Sequence, residues 1–352
     1  MTKDDLLNIK ISSYDHEVYE KCKKSWDNLA KPLDGFGDFE DVVSRIIAIN
    51  NSDLYKRAAV IFCSDNGIVE EGVSQCGSEV TRKVAQSLGA GISTVSVLGR
   101  SSAVDIIPVD IGIRGSDGID GVLDRKIAEG TKNFLKKPAM TEDEVLRAIE
   151  TGIEIVRDLK EKGYSILAAG EMGIGNTTTS AALLSALLNI EPEEVTGRGA
   201  GLDDAGYERK LDVIRAGVQK YSYGSDKKDY IFHILRCLGG FDIAGLTGLV
   251  IGGAMYHIPI VLDGVITGAA AVCAQMLVNG VKDFVIPSHS GREAGNKVAL
   301  SFLGHKAFIN GNMALGEGTG AVMLFPLLDT VFYYFKNGSD FSTYRMDAYE
   351  RF

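Results

Sequence analysis

Three stretches of this chain combine glycine with residues able to hold an anion or move a proton. Gly170-Glu-Met-Gly-Ile-Gly-Asn-Thr-Thr-Thr179 leads from an apolar run into a helix expected to begin near Thr177. Bare backbone N–H groups and the positive end of the helix dipole can hold a phosphate at such a turn. A tight turn capped by Asn or Thr accounts for the same residues equally well. The stretch is not a Walker A loop and lacks the G-x-G-x-x-G spacing of dinucleotide-binding turns. Gly197-Arg-Gly-Ala-Gly201 is a second cluster, followed by a helix carrying Arg209 and Lys210. A lysine one or two turns into that helix could reach a phosphate, with a solvated surface lysine as the ordinary alternative. Leu315-Gly-Glu-Gly-Thr-Gly320 places Glu317 between glycines at the start of an apolar helix. Partial burial would raise its pKa toward a general-base value; the competing reading is a first-turn acid favoured by the helix dipole. Asp65, Glu171 and Asp263 are further acids at strand ends, where turn and cap duty is the common use.

Those residues need elements to carry them. Short apolar runs at 58–63, 104–110, 165–169, 258–262 and 284–287 read as strands, each ending in glycine and polar residues. Helical periodicity falls at 79–88, at 142–162 with Thr141 as cap and Gly163 as stop, at 177–188 and at about 266–278. Buried-type strands alternating with helices predict an α/β fold, with a largely parallel sheet covered on both faces. In such sheets ligands bind outside the carboxyl ends of the strands. Residues 1–50, with the single Trp26, read as a helical appendage; 51–330 form the α/β catalytic domain and 331–352 a C-terminal helix and tail. The apolar segment from Val322 to about Phe335 reads as helix, with Pro326 expected to break or kink it.

Composition narrows the function. Glycine accounts for 41 of 352 residues, above the ordinary usage of about 7%. It has no collagen period, and a 45% hydrophobic content is enough to fold. The net charge of −10 disfavours a nucleic-acid partner, yet backbone N–H groups can still bind one phosphate. Five cysteines without C-x-x-C spacing, and five histidines without H-E-x-x-H, give no support for a disulfide framework or a metal site. The uncharged stretch 244–262 contains glycines, His257 and Pro259, so it reads as a buried helix and strand rather than a membrane span. The stretch Met1-Thr-Lys-Asp-Asp is charged and lacks an apolar run, so it does not read as a secretory signal. The expectation is a soluble, cytoplasmic protein.

Taken together, the motifs resemble the nicotinate-nucleotide:dimethylbenzimidazole phosphoribosyltransferase family. The matches are Ser64-Asp-Asn-Gly-Ile-Val-Glu-Glu-Gly-Val73, Val109-Asp-Ile-Gly112, and Gly130-Thr-Lys-Asn-Phe134 with Pro138-Ala-Met. They continue with Gly170–Thr178, Gly239-Gly-Phe-Asp-Ile-Ala244, Leu262-Asp-Gly264, Pro287-Ser-His289 and Leu315–Gly320, in family order over roughly residues 55–330. The resemblance implies a Rossmann-like parallel sheet, a small helical domain built from both chain ends, and a dimer. It also implies the reaction. A base nitrogen attacks the anomeric carbon of nicotinate mononucleotide, nicotinate leaves, and an α-ribotide for cobalamin assembly forms with inversion. No cofactor is implied.

By the same resemblance Glu317 is the general base. Gly173, Gly175, Asn176 and Lys210 hold phosphate and ribose, while Glu171 and Ser288 contact ribose hydroxyls or orient the departing nucleotide. Ser74, Cys76, Val84 and Leu315 fall to the acceptor pocket. Cys76 and Val84 stand where the family pattern has Ser and Gln. Asp65-Asn66-Gly67 replaces Asp-His-Gly, and Ser288-His289-Ser290-Gly291 replaces Ser-His-x-Ser. A less polar pocket would suit a phenol or p-cresol acceptor, and relatives of that kind can work as heterodimers of paralogues. The homodimer and heterodimer both stay open. A non-catalytic partner subunit is a further alternative, disfavoured by retention of Glu317. A dinucleotide-dependent oxidoreductase is disfavoured by the missing G-x-G-x-x-G.

Overall fold

The computed structural model describes residues 1–50, 56–115, 117–222 and 227–351. Six strands form one parallel sheet: β1 (Arg57–Ser64), β2 (Val104–Gly112), β3 (Leu123–Asp124), β4 (Ile166–Met172), β5 (Ile260–Leu262) and β6 (Val285–Pro287), in the order β3-β2-β1-β4-β5-β6. Alternate side chains point to opposite faces of a strand, and β1 shows the consequence. Ala58, Val60 and Phe62 belong to the apolar layer on one side. Ala59, Ile61 and Cys63 belong to the layer on the other. Both faces are covered by helices, as expected of a Rossmann-like sheet. Successive strands build outward from β1 in both directions, so the order reverses between β1 and β4. A crevice opens at such a reversal, outside the carboxyl ends.

On the first face, the helices Glu142–Glu161 and Phe241–Met255 cross with their backbones almost touching. A Cβ on Gly248 would overlap the Ile149 carbonyl oxygen, and one on Gly152 would lie 2.5 Å from the Leu249 nitrogen. The uncharged stretch beginning at 244 is therefore a core helix followed by β5. Among the described residues no helix is long and apolar enough to cross a membrane.

The other face brings the chain ends together. The helices His16–Asn28, Asp38–Asn50 and Thr319–Asn337 share one apolar cluster with Ala59, Ile61, Ala168 and Val261 of the sheet. Trp26 stacks among Phe36, Tyr334 and Phe335. Leu29 bridges to Asp340, and Arg351 reaches back to Asp27 and Asp34 at 2.7 and 2.8 Å. The last long helix runs continuously through residue 331, where the sequence pattern divides the catalytic domain from a C-terminal helix and tail. The boundary after residue 50 abuts 51–55, which lie outside the described residues.

Three local features depart from the sequence reading. The helix Thr319–Asn337 contains Pro326 without ending there, so of the expected break or kink the break does not occur. Strand β4 extends through Gly170-Glu171-Met172, residues that read as turn, because the β1 pairing continues to Cys63–Met172. A small parallel pair, β7 (His289–Gly291) and β8 (Ile309–Met313), follows the main sheet. Such short, half-exposed segments carry no period to read.

Candidate active site

A cavity of about 220 Å³ lies at the carboxyl ends of β4 and β5. Its wall includes Glu171, Asn176, Gly199, Asp263, His289 and Glu317, contributed by five separate segments. Main-chain loops approach one another closely here. Gly170 has no room for a side chain because the Glu317 carbonyl oxygen and the Gly318 Cα would each stand 3.0 Å from its Cβ.

Glu317 takes a left-handed backbone (φ 59°) between Gly316 and Gly318, themselves at φ 87° and 81°. That conformation is strained for a residue with a Cβ, so its surroundings must impose it. The Val95 N–H, in the first turn of the helix Thr94–Ser101, faces its carboxylate. The other oxygen, Oε2, is buried without a hydrogen-bond partner. Burial raises the Glu317 pKa above the ordinary carboxylate value; Val95 opposes the shift and the charge of Asp263 adds to it. A carboxyl held in this way keeps its proton to higher pH than an exposed acid does.

Glu171 ends β4 and is joined to Asp242 through Asn176. The Asn176 amide donates to Asp242 Oδ2 at 3.0 Å and also to Glu171 Oε2. Burial, followed by the neighbouring Asp242 charge, pushes Glu171 up to about 8, with the Asn176 bond opposing. Burial raises Asp242 to about 6. Gly173 packs against this group, since a Cβ there would lie 2.6 Å from Asp242 Oδ2. Gly175 caps the helix Asn176–Leu188 in a left-handed conformation (φ 92°) and faces Val69 rather than the cavity.

Lys210 is no surface lysine. It is fully buried, and its Nζ donates to Thr177 Oγ1 at 2.9 Å and to the Gly197 carbonyl at 3.0 Å. The side chain thus ties the second glycine loop to the start of the helix Asn176–Leu188. Burial lowers its pKa to about 8, and Glu293 partly offsets this. Glu293 accepts the Gly199 N–H at 3.0 Å and lines the cavity beside that loop.

The remaining expected residues divide. Leu315 lines the cavity and is half exposed. Ser288 lies behind the wall, fully buried, with its Oγ 3.0 Å from His289 Nδ1. Ser74, Cys76 and Val84 do not line this cavity. Val84 packs into the apolar layer, and Ser74 Oγ accepts the Cys76 N–H within its own loop. The helix Glu79–Gly89 that carries Val84 still reaches the site through Thr81, whose Oγ1 accepts the Ile174 N–H at 3.2 Å. Asp242 and Glu293 received no role from the sequence. Asp242 sits in a quoted motif, immediately after Gly239-Gly240-Phe241, and that was its only signal.

Comparison with known proteins defines the class first. A family described as phosphoribosyltransferase matches residues 11–343. The nicotinate-nucleotide–dimethylbenzimidazole phosphoribosyltransferase of Ruminiclostridium cellulolyticum is 39% identical over 355 residues, covering 99% of each chain. The protein of that name from Clostridium acetobutylicum is 39% identical over 333 residues, 94% of each chain. The crystal structure of CobT from Thermus thermophilus superposes with a TM-score of 0.88 at 32% identity, covering 94% of this chain and 99% of that one. The chain belongs to the nicotinate-nucleotide–dimethylbenzimidazole phosphoribosyltransferase family.

Proposed function

We propose that the cavity transfers the phosphoribosyl group of nicotinate mononucleotide to 5,6-dimethylbenzimidazole or a related base, with Glu317 as general base. One observation carries the assignment: a carboxylate of raised pKa, with one oxygen unpartnered, shares a cavity with two glycine-rich loops braced by a buried lysine. The phosphate lies against the loops at Gly173–Asn176 and Gly197–Gly201, with Lys210 behind them as counter-charge. Gly175 shapes the first loop by capping its helix. Glu171, at about 8, carries its proton at neutral pH and can donate to a ribose hydroxyl. Ser288 acts from behind, orienting the nucleotide through His289.

The acceptor nitrogen attacks the anomeric carbon on the face opposite nicotinate. The bond to nicotinate breaks, its electron pair returns to the pyridine nitrogen, and the acceptor's N–H proton passes to Glu317. Leu315 at the mouth offers apolar contact to an aromatic ring, and Ser74, Cys76 and Val84 bear on the acceptor only by placing the helix Glu79–Gly89, whose Thr81 holds the Gly173–Asn176 loop. The protein works as a dimer in the cytoplasm, and denaturing mass spectrometry of the native complex, which resolves one subunit mass or two, distinguishes a homodimer from a pairing with a paralogue.

Incubation with nicotinate mononucleotide and dimethylbenzimidazole should yield α-ribotide and nicotinate, resolved by chromatography. Product from p-cresol alone would move the acceptor class to phenols, and no product from either would reject the reading. Glu317→Gln should lower turnover by about 100-fold or more while leaving nucleotide binding nearly intact. Unchanged turnover would refute the base assignment.

A further inference from the structure

The loop carrying Glu317 is held on one side by a single enclosed carboxylate. Asp263 directly follows β5 and is buried. Its Oδ2 accepts the Gly318 N–H at 3.2 Å, and its Oδ1 accepts those of Gly320 at 2.7 Å and Ala321 at 3.3 Å. These N–H groups open the helix Thr319–Asn337, where no earlier turn supplies partners. Gly320 makes the approach possible, since a Cβ there would stand 2.9 Å from Asp263 Oδ1 and would overlap the His289 ring. Three bonds from one rigid strand end therefore fix the backbone immediately after Glu317. Gly170 on β4 confines the same loop from below, where a Cβ would stand 3.0 Å from the Glu317 carbonyl oxygen.

We propose that Asp263 is the positioning residue of this site, imposing the left-handed conformation that aims the Glu317 carboxylate into the cavity. The proposal rests on the reading of Glu317 as the base. It explains why an acid at a strand end is used as a helix cap: the cap fixes the residue one position before the first bonded amide.

Asp263 also acts through its charge, which is among the influences raising Glu317. Glu171 on β4, Asp242 on the helix Phe241–Met255, Cys63 on β1 and His289 on β7 face the same group of charges. Replacing Asp263 removes a charge that raises Glu171 as well as Glu317, and it takes away the carboxylate beside His289.

Asp263→Asn keeps the shape but removes the charge and turns an NH2 toward backbone donors. Turnover should fall by about 100-fold, with the KM for nicotinate mononucleotide within about threefold of native. The acid limb of the kcat profile should also move to lower pH, because Glu317 loses a neighbouring negative charge and its pKa drops. The limb reports the lost charge, whereas the positioning role is read from the split, kcat falling while KM holds, which a general loss of structure would not give. Turnover within about threefold of native, or a KM that rises in step with the fall in kcat, overturns the proposal. Glu317→Gln, assayed alongside, separates the two claims. If it turns over normally, the base reading has failed; if it is inactive and Asp263→Asn is normal, only the positioning role falls. Should Asp263→Asn fail to fold, amide exchange on the native protein decides. The Gly318, Gly320 and Ala321 amides should exchange as slowly as those of β4, and exchange as fast as exposed Gly311 and Asn312 overturns the assignment.

Discussion

At the residue scale the site consists of ionisable groups kept from water, and Lys210 shows what that does. Its ammonium is enclosed, and burial lowers its pKa to about 8. In the proposed reading only the charged form offsets the substrate phosphate. The KM for nicotinate mononucleotide should therefore climb as pH rises through about 8, and Lys210→Met should start high with no such inflection. Folding stability follows the opposite sign. The unfolded chain keeps its lysine proton to about 10.4, so between about 8 and 10 the unfolded state binds more protons and stability rises with pH. Initial rates and denaturant melts across that range separate the two effects. A KM that stays flat would remove Lys210 from the phosphate site. Nothing in Tyr207-Glu-Arg-Lys210 announces this burial, because lysine is a common residue on any exposed helix face. The position beside a glycine loop was legible, but the enclosure was not.

The helices and strands show where sequence reading succeeds and where it stops. The five main strands were legible as apolar runs because both faces of the sheet are covered, and the helix at 142 was legible from its capping residue. Thr141 and Glu144 do form a reciprocal capping box. Strand order was not legible, since periodicity within a segment carries no information about its neighbours. Nor was the passage of helix through Pro326, which is decided by packing of Val322, Leu324, Phe325 and Leu328 into the apolar layer. Gly248 owes its identity to packing against the neighbouring helix. Gly248→Ala drives a methyl group into the Ile149 carbonyl, with backbone rather than a flexible side chain on the far side. The helix pair must separate, at a cost of about 1–3 kcal/mol. Urea melts should show that loss, while kcat per folded molecule stays close to native because the crossing lies away from the cavity. A stability within about 0.5 kcal/mol of native would mean the helices can slide apart freely.

For the whole molecule the question is whether the chain ends form an independent unit. Their composition, polar and helical, suggests an appendage, and Arg351 reinforces that impression by clasping Asp27 and Asp34. That exposed clasp contributes little to stability. The apolar contacts point the other way. Trp26, Val42, Val43 and Ile46 lie in one cluster with Ala59 and Ile61 of β1, Ala168 of β4, and Phe325 and Leu328 of the last long helix. Removing the terminal helices would expose much of that face of the sheet, leaving only the helices Glu79–Gly89 and Thr94–Ser101 packed on it. The ends and the sheet should therefore unfold together. Trp26 is the only tryptophan, so its fluorescence reports the terminal helices alone, whereas far-UV circular dichroism reports the whole chain. The two urea transitions should coincide. Trp26→Ala leaves a cavity in the shared layer and should cost about 3–5 kcal/mol, shifting the whole dichroism transition to lower urea and not just a fraction of its amplitude. A fluorescence transition that precedes the dichroism, or a Trp26→Ala loss confined to part of the dichroism signal, would establish the ends as a separately folding unit.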